Sequence, residues 1–262
     1  MVAEPKVRDW CPALEVMPLE RTAVVVLNTD IENPPKLVHR LWNESWLRVT
    51  VDGGTNKWHS FVKQNALENL KYPDLITGDL DSADPVIVEQ FVSAGSQIVH
   101  TPNQDETDFT KALLEIKNYC ASSHKSIDSV IVMVNMFHRV DHFLSNINTL
   151  YKFKSSDYYF DGDIYLMGRN SLTWLLQAGM HRIHVPLSLR LYPQKNFIGL
   201  FPIGSACNEC TTTGLKWNIN GKIMEMGGLI SSSNTFNGDP FVTITNSSSL
   251  LWTMTLGYEE SF

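Results

Sequence analysis

The stretch PDLITGDLDS, residues 73–82, decides the fold, because an apolar run ends there in a glycine and two aspartates. Residues 75–77 have the character of a buried strand, and Gly78 loosens the turn before Asp79 and Asp81. Carboxylates at positions i and i+2 after a strand can point the same way. Two such oxygen ligands suit Mg²⁺, which binds one or two protein carboxylates together with phosphate oxygens and water.

The same two aspartates also fit an ordinary acidic turn that faces solvent. A helix would then follow the turn, with Asp84 as its N-cap before Pro85. A D-x-D motif alone does not decide between these interpretations.

Strand-like and helix-like patterns alternate on both sides of this stretch. Apolar strand-like runs occupy residues 23–27, 47–51, 74–77, 97–100, 130–134 and 164–167. Helix-like stretches lie between them, at residues 35–42, 56–65, 84–94, 108–120 and 141–153. The alternation is typical of βαβ units, so residues 21–168 are predicted to form an α/β domain with a mostly parallel sheet.

Ligands of such sheets bind outside the carboxyl ends of the strands. Polar clusters follow four of the predicted strands, at residues 28–30, 52–54, 78–81 and 101–108. Four polar strand ends on one edge of a sheet indicate a site.

The pattern changes from about residue 171 onward. Short alternating runs, separated by Gly, Asn, Pro and Ser, lie at residues 172–176, 182–185, 197–200, 210–213, 242–245 and 251–256. Residues 169–262 are therefore predicted to form an all-β domain, an antiparallel sandwich or barrel. Residues 1–20 carry acids and prolines without a continuous apolar run, so we expect a partly ordered leader there rather than a signal peptide.

Composition limits the function. The 262 residues are 43% hydrophobic and 19% charged, which indicates a soluble globular protein. The formal net charge of −7 lacks the basic footprint that nucleic-acid binding needs, and no apolar run reaches the roughly 18 residues of a membrane span. Cys207 and Cys210 form a CxxC without two further zinc ligands nearby, so reduced thiols and a cytoplasmic location are expected.

A second polar cluster is TPNQDETDFTKAL, residues 101–113. Its apolar residues repeat at helical spacing and predict a buried stripe formed by Phe109, Ala112, Leu113 and Ile116. The start of such a helix attracts anions, so Thr107, Asp108 and Lys111 could form a corner for phosphate and metal. Alternatively, Asp108 is only a capping acid.

Two further motifs are weaker. Asp52-Gly53-Gly54 after a strand would let the backbone approach a ligand closely, although the chain has neither a P-loop nor a G-x-G-x-x-G motif. Trp217 follows a glycine turn, where it could pack in a core or form an aromatic platform for a flat or cationic ligand.

Taken together, the segments resemble the thiamin pyrophosphokinase family from about residue 22 to residue 256. The segments that carry the resemblance are VVVLN, LWN, VDGGTNKW, GDLDS, TPNQDETDFTKAL, SNINTL, LLQAGMHRIHV, TTTGLKWNIN, SSSNTFNG and LLWTM. The resemblance implies an α/β nucleotide-binding domain followed by a β-sandwich, working as a homodimer. It also implies transfer of a diphosphoryl group from ATP to the hydroxyl of thiamin, with release of AMP and with Mg²⁺ on the triphosphate.

The resemblance also implies roles for individual residues. The Mg²⁺ ligands would be Asp79, Asp81 and Asp108, and a further catalytic pair would be Arg139 and Asp141. The nucleotide-binding residues would be Asp52, Gly53, Gly54, Gln104, Thr107 and Lys111. The thiamin-binding residues, contributed by the partner subunit, would be Trp217, Ser233 and Asn234.

The chain departs from the family at one place. Where the family has a glycine-rich turn before its Arg-x-Asp, this chain has Met136, Phe137 and His138. Glycines let a backbone come close to phosphate, so a thiamin- or nucleotide-binding homologue with impaired catalysis is the alternative. A phosphatase that uses D-x-D as nucleophile and acid is a third class, which would leave the β-rich region unexplained.

Overall fold

The structure, a computed structural model, describes residues 6–14, 16–135 and 139–256. The strands, in chain order, are β1 (Val7–Trp10), β2 (Thr22–Val26), β3 (Leu47–Val51), β4 (Leu75–Gly78), β5 (Gln97–His100), β6 (Ser129–Met133), β7 (Asp163–Gly168), β8 (Ser171–Leu176), β9 (Gly179–His184), β10 (Ile198–Phe201), β11 (Cys207–Thr213), β12 (Lys222–Met224), β13 (Ser231–Asn234), β14 (Phe241–Asn246) and β15 (Leu250–Thr255). The helices are α1 (Pro35–Glu44), α2 (Gly54–Gln64), α3 (Pro85–Ser93), α4 (Asp108–Ser122), α5 (Val140–Lys152) and α6 (Leu187–Leu191), with a 3₁₀ turn at Pro193–Lys195.

The chain divides into two compact units. The α/β unit comprises Pro18–Arg169, and the β-rich unit joins the N-terminal residues up to Met17 to those from Asn170 onward. The division after Arg169 lies one residue from the predicted boundary between residues 168 and 169.

The sheet of the α/β unit is parallel throughout, in the order β7-β6-β2-β3-β4-β5. All residues of β2, β3 and β6 are buried, as expected for parallel strands that are covered on both faces. Val26 of β2 lies opposite Thr50 of β3 and Met133 of β6, and Val51 of β3 lies opposite Thr77 of β4. The carboxyl ends of these strands therefore meet at one edge of the sheet.

The helices of the α/β unit begin at recognisable signals. Asp84 caps α3 by accepting a hydrogen bond from the Val86 N–H at 2.9 Å, as predicted. Thr107 caps α4 by accepting one from the Thr110 N–H at 3.2 Å, and the predicted stripe at positions 109, 112, 113 and 116 is buried. None of the helices in the described part of the chain is long and apolar enough to cross a bilayer.

The strands of the β-rich unit pair in the orders β1-β9-β14-β11-β12 and β13-β10-β15-β8. Their pairings are antiparallel except for β1 with β9, so the predicted fold class is confirmed. Buried Trp174 and Trp252 lie opposite each other on β8 and β15, with ring centroids 6.1 Å apart. Cys207 and Cys210 on β11 are buried free thiols, and burial raises the pKa of Cys210 to about 12.

The N-terminal region differs from the predicted leader over residues 1–20. Residues 7–10 form β1, which pairs in parallel with β9 and places Trp10 opposite Ile183. The Trp10 indole N–H donates to Nδ1 of His181 at 3.1 Å, and both side chains are buried. The strand was missed because the four residues VRDW carry two charges and show no clear alternation.

Candidate active site

Three aspartates converge at the carboxyl ends of β3 and β4. Asp52 follows β3, whereas Asp79 and Asp81 follow β4, and a carboxylate oxygen of each lies within 4.8 Å of the other two. Asp52 is buried, Asp79 is half-buried and Asp81 is exposed. Oxygen ligands from separate loops, with one carboxylate open to solvent, are suited to a divalent cation that also binds a ligand's phosphates.

The backbone explains why these carboxylates converge. Asp52 has φ +49° and Leu80 has φ +65°, a left-handed conformation that non-glycine residues rarely adopt. Gly78 has φ +136°, and a Cβ at this position would lie 2.9 Å from the Cβ of Asp52. Glycine is therefore required at position 78, both by the positive φ and by the close approach of Asp52.

Hydrogen bonds fix the positions of Asp52 and Asp79 in the acidic cluster. The Asp52 carboxylate accepts from the Ser82 N–H at 3.1 Å, and the Gln104 side-chain amide donates to Asp79 Oδ2 at 2.9 Å. The hydrogen bond from Gln104, and after it one from the Asp81 N–H, lowers the pKa of Asp79. Asp79 is thus a carboxylate at neutral pH and available to a cation.

The cluster opens into a cavity of about 560 Å³ within the α/β unit. A volume of this size is typical of small-molecule sites. Among the predicted site residues, those that line the cavity are Asp52, Asp79, Asp81, Gln104, Thr107, Asp108, Lys111 and Arg139. All four predicted polar strand ends, together with the starts of α4 and α5, thus share one space.

Asp108, predicted as the third metal ligand, lies outside the three-carboxylate cluster, where Asp52 takes its place. Asp108 instead pairs with Lys111, whose Nζ lies 2.7 Å from Oδ1. The Lys111 side chain is only 6% exposed, and its Nζ also donates to the Thr101 carbonyl at 3.0 Å. This ammonium group is therefore fixed in the cavity wall, where a point charge can attract phosphate.

Arg139 and Asp141 form an ion pair at the start of α5. The Arg139 Nε donates to Asp141 Oδ1 at 3.1 Å, and a terminal guanidinium nitrogen bonds the other carboxylate oxygen. The hydrogen bonds from Arg139 lower the pKa of Asp141 to about 2. Arg139 lines the cavity, whereas the departure at positions 136–138 lies outside the described residues.

The glycines after Asp52 contact protein rather than open space. A Cβ on Gly54 would lie 2.3 Å from the Val26 carbonyl oxygen, and one on Gly53 would lie 2.4 Å from the Asn28 side-chain nitrogen. Both glycines let the start of α2 pack closely against the end of β2, so they shape the wall behind the acidic cluster.

The sequence did not single out four residues that line the cavity, namely Glu106, His142, Ser145 and Asn146. Ser145 and Asn146 lie three and four positions after His142 on α5, so each is a neighbour of His142 on the helix surface. This polar spacing, next to the Arg-x-Asp pair, was the signal that could have revealed them.

The predicted thiamin-binding residues lie together in the β-rich unit. Trp217 is 57% exposed, which excludes the core-packing interpretation. Its backbone N–H donates to Asn234 Oδ1 at 3.2 Å, and the Asn234 amide donates to the Trp217 carbonyl at 2.8 Å. Asn234 is buried and Ser233 has φ +55°, so the segment that presents the indole is held by its neighbour. The Lys216 Nζ lies 4.5 Å from the Trp217 ring centroid.

The fold and the acidic cavity define a class of α/β proteins suited to a metal-bound polyphosphate, here with a β-rich unit attached. A family model described as "Thiamin pyrophosphokinase, catalytic domain" matches residues 38–160. A second, "Thiamin pyrophosphokinase, vitamin B1 binding domain", matches residues 180–251. The chain belongs to the thiamin pyrophosphokinase family.

Named relatives agree with this assignment. Thiamine pyrophosphokinase 3 of Oryza sativa subsp. japonica is 34% identical over 244 residues, which cover 89% of this chain and 86% of the relative. Thiamine pyrophosphokinase 1 of Arabidopsis thaliana is 32% identical over 90% of this chain and 86% of its own length. The structure of thiamin pyrophosphokinase from Candida albicans superposes with a TM-score of 0.82 at 23% identity, over 97% of this chain and 95% of that one, which supports the fold.

Proposed function

We propose that this chain transfers a diphosphoryl group from ATP to the hydroxyl of thiamin, giving thiamin diphosphate and AMP. A bond forms between the thiamin hydroxyl oxygen and the β-phosphorus, the bond from that phosphorus to the α-phosphate oxygen breaks, and the hydroxyl proton is released. The observation that carries the proposal is the acidic cluster, which opens into the same cavity as the cations Lys111 and Arg139. Family membership supports it.

We propose Mg²⁺ as the metal, held by Asp52, Asp79 and Asp81. Their hard oxygen atoms and the lowered pKa of Asp79 fit a divalent cation. When bound, the ion would neutralise polyphosphate charge and act as a Lewis acid. A ligand role for Asp108 remains a prediction, because in the structure its carboxylate lies outside the cluster and pairs with Lys111.

The other cavity residues are proposed to position the donor. Lys111 and Arg139 would contact the phosphates, and Thr107 lies at the N-terminus of α4, where free N–H groups favour anions. Diphosphoryl transfer depends on such charge neutralisation and on in-line geometry more than on covalent chemistry.

We propose that Trp217, Ser233 and Asn234 bind thiamin, whose cationic thiazolium ring would lie on the exposed indole.

We further propose that the protein is a homodimer and is located in the cytoplasm. The segment 222–230 exposes Ile223, Met226 and Leu229, an apolar surface of the kind that marks subunit contacts. The four free cysteines support a reducing compartment. Equilibrium sedimentation and cell fractionation test these two proposals.

The activity is tested with purified protein, thiamin, ATP and Mg²⁺, followed by chromatography of the products. We expect equal amounts of thiamin diphosphate and AMP, and no product once EDTA removes the metal. Release of ADP with thiamin monophosphate would contradict the proposal.

The same assay separates the two alternatives. Calorimetric binding of thiamin without product would indicate the impaired homologue, and phosphate release from simple monoesters would indicate a phosphatase. The described residues do not support impairment, because the acidic cluster, Lys111 and Arg139 all line one cavity.

A further inference from the structure

Glu106 lies in segment 101–107, which joins β5 to α4 and carries the predicted site residues Gln104 and Thr107. Its side chain is 14% exposed. One carboxylate oxygen lies 2.5 Å from the Nζ of Lys152, and the other accepts a hydrogen bond from the Tyr158 hydroxyl. Both donors lie beyond α4, at the end of α5 and in the loop that follows it.

The two partners of Glu106 are themselves held in place. The Tyr158 ring lies 5.7 Å from the ring of fully buried Phe153, and the Lys152 Nζ lies 5.5 Å from the Tyr158 ring. Burial raises the pKa of Glu106, but the hydrogen bonds from Lys152 and Tyr158 together lower it below its usual range. The carboxylate is therefore charged at neutral pH, and charge-assisted hydrogen bonds are the stronger kind.

The rest of the segment is tied to the acidic side of the cavity. Gln104 donates to Asp79, and the Lys111 Nζ donates to the Thr101 carbonyl at the start of the segment. Three residues beyond the segment, on α4, the Thr110 hydroxyl lies 2.9 Å from the Thr149 hydroxyl on α5. Glu106 adds a charged link to α5, which begins next to the cavity-lining Arg139.

We propose that Glu106 is a positioning residue that, through Lys152 and Tyr158, holds segment 101–107 against α5. The link keeps Gln104 and Thr107 at the position where the triphosphate of the donor binds, so it acts on nucleotide affinity. Its kinetic consequence rests on the proposed function. Glu106 itself donates no group to the reaction.

The test compares Glu106→Gln with Glu115→Gln, which makes the same change on α4. Among the hydrogen bonds of the described residues, the Glu115 side chain has only those from the neighbouring Asn118. For Glu106→Gln we expect a rise of about tenfold in KM for ATP, a kcat within about threefold and an unchanged KM for thiamin, since one charge-assisted link is lost. Amide hydrogen exchange in segment 101–107 should accelerate by about tenfold. The Glu115→Gln protein should show neither effect.

A second variant, Lys152→Met, removes the other half of the ion pair. It should raise KM for ATP by a similar factor, and the double variant with Glu106→Gln should be little worse than either single one. Additive effects would overturn the proposal, and so would a lower melting temperature with unchanged KM and exchange. If the wild-type protein makes no thiamin diphosphate, the proposed function fails, while exchange and calorimetric Mg-ATP binding still decide the role of Glu106.

Discussion

The two units of the molecule place their exposed chemical groups differently. In the α/β unit the central strands are buried along their whole length, so polar side chains collect in the loops after them, as Asp52 and Asp79 do. In the β-rich unit a strand such as β14 alternates exposed and buried residues. Topology alone therefore locates a site in the first unit. In the second unit, the sequence left two interpretations of Trp217 open, and only the structure shows that its side chain is exposed.

Loss of one carboxylate from the acidic cluster should have the largest effect. We expect Asp81→Asn to lower turnover by at least about 100-fold, because a charged ligand of the proposed Mg²⁺ is removed. Asp81 is exposed, so the melting temperature should stay within a few degrees of wild type. Asp105→Asn, which removes an acid of the same cavity outside the cluster, is the matched control in a steady-state assay. If Asp81→Asn and Asp105→Asn lowered turnover equally, the loss would follow from the change in net charge rather than from the acidic cluster.

The same assay tests which carboxylate is the third ligand of the proposed Mg²⁺. Asp52→Asn should raise the Mg²⁺ concentration needed for half-maximal rate more than Asp108→Asn does, because only Asp52 lies within the cluster. The opposite order would restore the ligand set implied by the resemblance.

Gly54→Ala tests how tightly the α/β unit is built behind its site. We expect a loss of about 2 kcal/mol in the free energy of unfolding, since the new Cβ would meet the backbone oxygen of Val26. Gly53→Ala should cost less, because the Asn28 side chain can move aside. In the β-rich unit, Gly227→Ala enters open space and should cost about 1 kcal/mol through its positive φ alone. Urea unfolding gives all three values, and similar losses for Gly53 and Gly54 would contradict this account.

Trp217→Ala tests whether the β-rich unit holds thiamin. We expect KM for thiamin to rise about tenfold and KM for ATP to change less than about twofold, because a cation–π platform is lost without a change in the nucleotide cavity. Trp217→Phe retains an aromatic face, so its KM for thiamin should lie between those of the wild-type protein and Trp217→Ala. Equal increases in both KM values would indicate a structural role.

The smallest expected effect concerns His181, which accepts a hydrogen bond from Trp10. Burial lowers the pKa of His181 in the folded protein. As pH falls below about 6.5, this histidine is therefore protonated in the unfolded chain before it is protonated in the folded one. The contribution of neutral His181 to the free energy of unfolding is therefore fully present above that pH and declines as pH falls toward the folded-state pKa. We expect a loss of about 1 kcal/mol between about pH 7.5 and 5.5 in urea unfolding, which His181→Gln should reduce. A wild-type curve parallel to that of the variant would refute this assignment.

Most of the α/β unit could be predicted, because local pattern and tertiary environment agree there. Strand β4 runs from residue 75 to 78, one residue from the predicted run, and Asp84 and Thr107 begin helices as their side chains allow. Strands β12 and β13 were not predicted, since KIM is short and SSSN has low strand propensity. Their pairing depends on partners distant in sequence.

The acidic cluster was predicted only in part. The D-x-D pair is visible as a motif, but the place of Asp52 depends on its left-handed backbone and on the absent side chain of Gly78. Nothing local marks Glu106, because its partners are 46 and 52 positions away. Contacts of this kind become evident only when segment 101–107 and the end of α5 are seen together.

The pairing of β1 with β9 bears on how the chain folds during its synthesis. Trp10 and His181 are separated by 171 positions. At roughly 5–20 residues per second, the ribosome needs about 10–35 s to deliver the partner of the first strand. Throughout that interval the nascent β1 has no β9 to pair with, while the whole α/β unit emerges, so β1 can take its final place only after that unit has been synthesised.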